Sequence, residues 1–479
     1  MRKKLALLAI ALVGTGCALG PDYQRPELDV PEQYGALEQV HEGWQPALPG
    51  ALPDRARWWT DYADERLTEL IRQLDEANPE LAGAEARHRQ ARALLGAARS
   101  DWLPNLDAEV SYSRSGTGGG RDRFVGDSTR RSGSRYDASL GLSWELDLWG
   151  RVRRQVEARR AELAASEADL AAARLSLQAT LAESYFQLRI LDEQRRLYEQ
   201  TLTAWQRSLE LTENQYRAGL AARSDVVQAR TQLESTRAQA IELQWQRAQL
   251  EHAIAILVGQ APAHFELEPE PLALELPALP QAVPAELLLR RPDIAASERA
   301  VAAANAGIGI AQTAWLPRLT LTARGGYQHS ARSDWLTAPN RYWSLGPSLA
   351  TLLFDGGQRR ADKDHALASY DASVARYRET VLNGFREVED ALARLQSLTA
   401  EAEVREQAVA LAEEAERLME NRYRAGLVSY LNVANAQTVT LDNRRRLLSL
   451  RGEQLAASAR LVVALGGDWS PLLPEDSEP

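Results

Sequence analysis

Apolar residues recur along most of this chain in steps of three and four, and in four short stretches in steps of two. The first period belongs to helices and the second to strands. Arg151 to Ala218 holds neither Gly nor Pro and is rich in Ala, Leu, Arg, Glu and Gln. It predicts one helix, on the order of 100 Å long at about 1.5 Å per residue. Alternating steps of four and three from residue 177 pick out Leu177, Leu181, Ser184, Leu188, Leu191, Arg195, Tyr198, Leu202, Trp205, Leu209, Thr212 and Tyr216, of which nine are apolar or aromatic. That heptad seam predicts packing against other helices along the whole length. A second run without Gly or Pro, Leu220 to Val258, follows a break at Gly219, so the two helices are expected to fold back as a hairpin. Pro is also absent from Ser348 to Ser470, with helical stretches on either side of Gly426; Gly384 and Gly452 read as glycines tolerated inside helices.

Period-two alternation appears at Leu103 to Ser113 and Tyr136 to Leu148, and again at Leu316 to Tyr327 and Trp343 to Phe354. Segments of about ten residues with one apolar and one polar face fit strands between lipid and water. Beyond the N-terminus no stretch of about 18 apolar residues occurs, so a membrane crossing would have to be made by strands. Four strands leave two edges of unpaired backbone groups, each group costing several kcal/mol in hydrocarbon. A closed barrel needs about eight strands or more, and more still for an open channel. Several copies must then share one barrel, and three copies supply twelve strands. Trp149-Gly150-Arg151 and Asp355-Gly356-Gly357 mark the passage from strand to helix, with glycines permitting the change of geometry. A barrel continued by a tube of helices with cyclic symmetry is the predicted architecture.

The chain is internally duplicated. Asn78-Pro79-Glu80-Leu81-Ala82 aligns with Arg291-Pro292-Asp293-Ile294-Ala295, and Trp102-Leu103-Pro104 with Trp315-Leu316-Pro317. Asn214, Tyr216, Arg217, Ala218, Gly219 and Leu220 align with Asn421, Tyr423, Arg424, Ala425, Gly426 and Leu427. Paired matches at both ends of two long blocks are a repeat. The expected organisation is a signal peptide at 1–16, an extended segment at 17–61, a first repeat at 62–283, a second at 284–467 and a tail at 468–479. The first repeat carries a strand hairpin at 103–148 and a helical hairpin at 150–260; the second carries them at 316–354 and 357–466.

The N-terminus has the order of an export signal: Arg2, Lys3 and Lys4, then an apolar run from Leu5 to Val13, then small residues before Cys17. Cys17 is the only cysteine, so no disulfide can form within the chain. Its setting resembles a lipobox, whose cysteine is acylated and becomes the mature N-terminus, although Gly14 stands where such motifs usually carry Leu. Ala18 lacks the Asp that signals inner-membrane retention in many lipoproteins, which favours outer-membrane delivery. The 66 acidic against 56 basic residues, a net charge of −10, speak against a nucleic-acid partner.

Catalytic chemistry is not indicated. His41, His88, His252, His264, His329 and His365 are scattered, with no pair at metal-ligand spacing. Gly118-Gly119-Gly120 lacks the following helix with Lys and Ser/Thr that a phosphate loop needs, and Gly307-Ile308-Gly309 lies inside an Ala-rich helical run. Helical pairs such as Glu157 with Arg160 and Glu413 with Arg417 read as solvated ion pairs. No enzyme, metal or cofactor other than a covalent lipid is expected.

The run LLLRRPDIAASERAVAAANAGIGIAQTAWLPRL at 287–319 resembles the signature of the TolC-like outer membrane factors, in particular the lipoprotein branch serving resistance-nodulation-division pumps. CALGPDYQRP from Cys17, WELDLWGRVRRQVEA from Trp144, LFDGGQRRA from Leu353 and the YRAGL runs at Tyr216 and Tyr423 extend the likeness over the mature chain. The resemblance implies a homotrimer with a twelve-stranded outer-membrane barrel, four strands per chain, above a long α-helical coiled-coil periplasmic tunnel. It further implies a periplasmic adaptor and an inner-membrane pump as partners, with small toxic compounds or drugs as cargo. Gly219, Leu220, Gly426 and Leu427 become the tunnel's inner tips and the contact points for the adaptor. Where the family rings its entrance with acidic residues, Asn432 and Asn435 stand here, and an amide ring neither repels itself nor binds cations strongly. The family's tie between neighbouring helices falls on Tyr423 and Asp225, which implies a hydrogen bond that holds the entrance shut; Val428 replaces an Arg that joins it in some members. Two other readings are a duct for protein export, which sequence does not separate from drug efflux, and a periplasmic adaptor lipoprotein. The adaptor reading predicts one central hairpin flanked by compact β domains, against the duplicated order found.

Overall fold

The computed structural model of the chain describes residues 18–28, 45–46, 57–116, 132–271, 276–277, 280–282 and 291–467. The expected signal peptide, Cys17, Gly118-Gly119-Gly120 and the C-terminal tail lie outside them. Helices α1 (Glu65–Ala77) and α2 (Pro79–Ser100) lead into strands β1 (Asn105–Gly116) and β2 (Ser132–Leu146), then into the long helix α3 (Arg151–Arg217) and its return α4 (Arg223–Leu257). The same order recurs as α5 (Pro292–Thr313), β3 (Arg318–His329), β4 (Arg341–Ala350), α6 (Gln358–Arg424) and α7 (Tyr430–Ala464). The long arms are 67 residues each and the returns 35 each, so the duplication read from sequence is also a duplication of element lengths.

The strand boundaries differ from those expected. Leu103 donates its backbone N–H to Ser100 O (3.0 Å) and finishes the turn after α2, so β1 starts only after Pro104, which has no N–H to give a ladder. At the other end β4 stops at Ala350, and Leu352, Leu353 and Phe354 follow it as exposed residues.

The described chain forms two compact units, each drawing on both repeats. The first takes residues 18–27, 87–116, 132–166 and 297–377. It contains the sheet, whose order is β1-β2-β3-β4 with every pair antiparallel. The two hairpins of the sequence are thereby one sheet, because β2 and β3 pair along their length from Tyr136 opposite His329 to Leu146 opposite Leu319. A small core of Leu95, Ala98 and Val156 packs α2 on the start of α3.

The second unit takes the described residues within 28–86, 167–296 and 378–467. Asp64 caps α1 by accepting the Leu67 N–H at 2.8 Å, and its other carboxylate oxygen accepts the Tyr185 hydroxyl at 2.8 Å. The apolar stripe of α1, Leu67, Leu70, Ile71 and Leu74, is fully buried; each such side chain contributes about 1.5–3 kcal/mol relative to exposure. It meets Leu181, Tyr185, Phe186 and Leu188 of α3 and Leu455 of α7, with Trp58, Trp59 and Tyr62 filling the remainder. Tyr185 and Phe186 lie off the heptad seam and are nonetheless buried, since α1 covers a second face of α3 that seam counting does not register. The repeat is visible here as chemistry: Asn78 Nδ2 donates to Leu257 O at 2.8 Å and its counterpart Arg291 Nη1 to Ala464 O at 3.0 Å, each holding the last carbonyl of its own repeat's return helix.

All four long helices end alike. Leu220 N–H bonds Gln215 O while Gly219 N–H bonds Tyr216 O, and the same two bonds recur at Leu427 and Gly426, Gln260 and Gly259, and Gly467 and Gly466. This double closure requires a left-handed residue at its centre, which is Gly in each case, with φ between +72° and +89°. Gly452, in contrast, is not merely tolerated within α7. A Cβ there would meet Ile190 Cγ1 at 2.8 Å, so glycine lets α7 approach α3 closely.

Candidate functional site

The sheet separates its side chains cleanly by face, because residues alternate and the register keeps like with like. One face carries Leu106, Val110 and Tyr112 of β1, Leu140, Leu142 and Trp144 of β2, Leu319 and Leu321 of β3, and Trp343, Leu345 and Leu349 of β4. The other carries Asp107, Glu109, Asp137, Ser139, Thr320, Thr322, Arg324, Tyr342 and Ser344. The apolar face is open: Trp343 is 79% exposed, Val110 76% and Leu106 72%. Aromatic rings mark its two ends. Tyr112 and Tyr136 stack with centroids 4.8 Å apart at the loop end, and Trp144 donates its indole N–H to Trp102 O (3.0 Å) at the helix end. From Tyr136 to Trp144 is nine residues, which matches the roughly 9–11 that a tilted strand needs to cross a bilayer core. No described helix is long and apolar enough to cross a membrane. β1 and β4 each have one neighbour, so both outer edges of the sheet are unpaired.

Residues following Cys17 are fixed in place. Leu19 N–H bonds Trp149 O at 3.2 Å, just past β2. Arg154, whose side chain is 5% exposed, donates to Leu19 O (3.0 Å), Gly20 O (3.2 Å) and Asp22 Oδ1 (2.8 Å). Asn305 Nδ2 donates to Pro21 O at 2.9 Å, the Tyr23 hydroxyl donates to Glu298, and Arg25 Nε donates to Tyr377 Oη at 3.1 Å. Two glycines make the path: a Cβ at Gly150 would meet Ala18 Cα at 2.7 Å, and one at Gly309 would meet Leu19 O at 2.8 Å. In the sequence Gly150 reads as a hinge and Gly309 as a helical filler; both make room for the N-terminal segment. Nothing in local sequence signals this, because the partner lies about 130 residues or more away.

Of the predicted gate residues, Asn432 and Asn435 are both exposed on α7, and Asn432 Nδ2 lies 3.2 Å from Ser429 Oγ. Tyr423 is 7% exposed and packs edge-on against Tyr430 at 5.6 Å, among Ala229, Val433 and Ala434. Its hydroxyl lies 3.2 Å from Thr212 Oγ1, so within the chain its hydrogen-bond partner is Thr212 and not Asp225. Asp225 instead turns back onto its own helix start, accepting Ala222 N–H at 3.4 Å. Its charge still reaches Tyr423, whose phenol is raised above its usual range by burial first and by that carboxylate after. Thr212 is legible as a seam position but not as this partner. At the tips, Leu220 is 81% and Leu427 74% exposed.

The ion pairs also differ in detail from expectation. Glu157 pairs with Arg154 (2.8 Å) rather than Arg160, and Glu413 reaches Arg444 of α7 (2.6 Å) rather than Arg417. Arg189, Asp192 and Arg247 form a buried cluster that also binds the backbone carbonyls of Leu267 and Glu268. Among the described residues no group of three or more His, Cys, Asp or Glu could hold a metal ion.

The family profile described as outer membrane efflux protein matches residues 70–260 and 283–467, once over each repeat. The cation efflux system protein CusC of Escherichia coli O6:H1 is 32% identical over 474 residues, covering 97% of this chain and 99% of its own. The toluene efflux pump outer membrane protein TtgI of Pseudomonas putida is 32% identical over 479 residues, covering 98% of each. The solved outer-membrane channel OprN superposes with a TM-score of 0.85 at 31% identity, over 94% of this chain and 99% of its own.

Proposed function

This chain belongs to the outer membrane efflux protein family, and from that premise we propose that three copies close their sheets into one barrel and form the passive outlet of an efflux system. It is an outer-membrane channel component of such a system, which sets aside the adaptor-lipoprotein reading. The observation that carries the trimer is the four-stranded sheet with one apolar face, one polar face and two open edges. In hydrocarbon those edges cost several kcal/mol per unpaired group. Two copies would give eight strands, whose interior side chains fill; three give twelve and leave a lumen. Outer-membrane lipid covers the apolar face between the two aromatic ends.

The remaining roles rest on placement. Cys17 carries the lipid anchor, supported by Ala18 lying against Gly150, just before α3 begins. Leu220 and Leu427, presented by the left-handed turns at Gly219 and Gly426, offer apolar contacts to a periplasmic adaptor, which links the duct to an inner-membrane transporter of the resistance-nodulation-division type. Asn432 and Asn435 line the entrance as uncharged groups, and Tyr423 with Thr212 and Asp225 holds it closed. Such a duct moves cargo without catalysis or cofactor.

Cargo is set elsewhere. A cation system and a toluene pump match this chain at the same 32% identity, so likeness does not choose between them. Deleting the chain is expected to sensitise the cell to a group of small toxic compounds, read by growth on a panel of drugs, dyes, solvents and metals, and restored by the intact chain. Unchanged growth on the whole panel together with loss of a secreted protein would favour the protein-export reading instead.

A further inference from the structure

Side chains on the polar face of the sheet reach across strands. Arg324 of β3 donates through Nε to Ser139 Oγ of β2 (3.0 Å) and through Nη2 to Glu109 of the edge strand β1. Tyr342 of β4 crosses β3 at Gly326 and donates to Asp137 of β2 (3.1 Å). The register places Tyr342 opposite Gly326 and Glu109 opposite Ser139, so these contacts lie at one level of the sheet. Gly326 and Gly141 leave the space: a Cβ at Gly326 would meet Ala138 O at 2.2 Å, and one at Gly141 would meet Asp107 Oδ1 at 2.7 Å.

In the band of this face that runs from Gly141 to Arg135 on β2, the charges are Asp107, Glu109, Asp137, Arg135 and Arg324, three carboxylates against two guanidinium groups. Glu145 and Arg318 share the face nearer the helices, and Glu145 is already paired with Arg151 at 2.8 Å. Arg324 and Glu109 are the partly exposed pair, at 43% and 52% of their side chains. Asp137, at 9%, is covered by its neighbours.

We propose that Arg324 is the residue that sets the charge preference of the barrel lumen, holding a band with three carboxylates close to neutral so that solutes of either sign can leave. With Arg324 the band carries one negative charge per chain; without it, two. In a ring of three chains, that change turns a weakly charged collar into a cation-selective one. The inference rests on the reading that the polar face lines a water-filled lumen.

Ser111, on the same face opposite Asp137, gives the test. In Ser111→Cys protein in intact outer membranes, the thiol is modified from outside by small cationic and anionic methanethiosulfonates, so the entrance need not open; the wild type serves as the blank. At an ionic strength of about 10 mM, where the Debye length is about 30 Å, a charge on the order of 7 Å away in water changes the rate for each reagent about twofold, in opposite senses. Adding Arg324→Gln is therefore expected to raise the cation-to-anion rate ratio about fivefold. Glu109→Gln should lower it by a similar factor, and Arg324→Lys should leave it near the parent value. Equal ratios in all these backgrounds would overturn the assignment of Arg324. An introduced thiol that reacts with neither water-soluble reagent but only with a lipid-soluble maleimide would overturn the lumen reading itself.

Discussion

The two helical tips share the pattern Asn-x-Tyr-Arg-Ala-Gly-Leu and the same cap, yet their tyrosines end differently. Tyr216 is 45% exposed before Gly219, while Tyr423 is 7% exposed before Gly426. The cap is local: two backbone bonds and a left-handed Gly, all supplied by the repeated residues themselves. Burial is not local. Tyr423 is enclosed by Thr212, Ala229, Tyr430, Val433 and Ala434. Tyr430 has Arg223 as its counterpart in the first repeat, and Thr212 has Met419 in the second. The duplication thus conveyed the turn to both tips, and later divergence of neighbours gave only the second a hydroxyl-bearing core. A gate is expected at one tip, not both.

The largest effect should come from that core. Tyr430 is fully buried, and Tyr430→Ala is expected to lower the local opening free energy around 419–434 by about 3 kcal/mol, a loss of amide-exchange protection of roughly a hundredfold. Tyr216→Ala should change protection at its own tip by less than about 0.5 kcal/mol. Equal losses at both tips would erase the distinction. Next, Gly219→Ala and Gly426→Ala should each cost about 1–2 kcal/mol, equally, because both impose a left-handed turn on an L-residue; the same exchange experiment measures them. A marked inequality would mean that something other than the cap holds one turn.

Smaller still, Tyr423→Phe removes one hydrogen bond worth about 1 kcal/mol, and Thr212→Val should cost the same without adding to it. Both are expected to increase leak through the closed channel, seen as sensitivity to a bulky antibiotic normally excluded, whereas Tyr216→Phe should not. Last, Asn435→Asp should increase block by trivalent cations in bilayer recordings, since it restores charge to the entrance; block that is as strong in the parent would contradict a neutral ring.

Regular elements are plain in the sequence because their causes are local. The run from Arg151 without Gly or Pro is a single helix to Arg217, and period two locates all four strands within a few residues. What joins distant segments is not visible there. The pairing of β2 with β3, the burial of Tyr185 and Phe186 under α1, and the Arg154 clamp on residues 19–22 depend on partners far along the chain. Tyr423 is reached through resemblance, but its partner within the chain is not: Asp225 closes its own helix start, leaving Thr212 to meet the phenol.

Cysteine pairs across the two open edges test the central claim most directly. Single cysteine substitutions on β1 at Leu106, Ala108 or Val110 would be combined with ones on β4 at Trp343, Leu345 or Leu349 in the full-length chain, and oxidised in the membrane. At the pairs that fall in register, disulfides should link chains into covalent dimers and trimers and stop at three. Absence of any intermolecular bond across the whole set, or ladders running past three chains, would contradict a barrel closed by three copies.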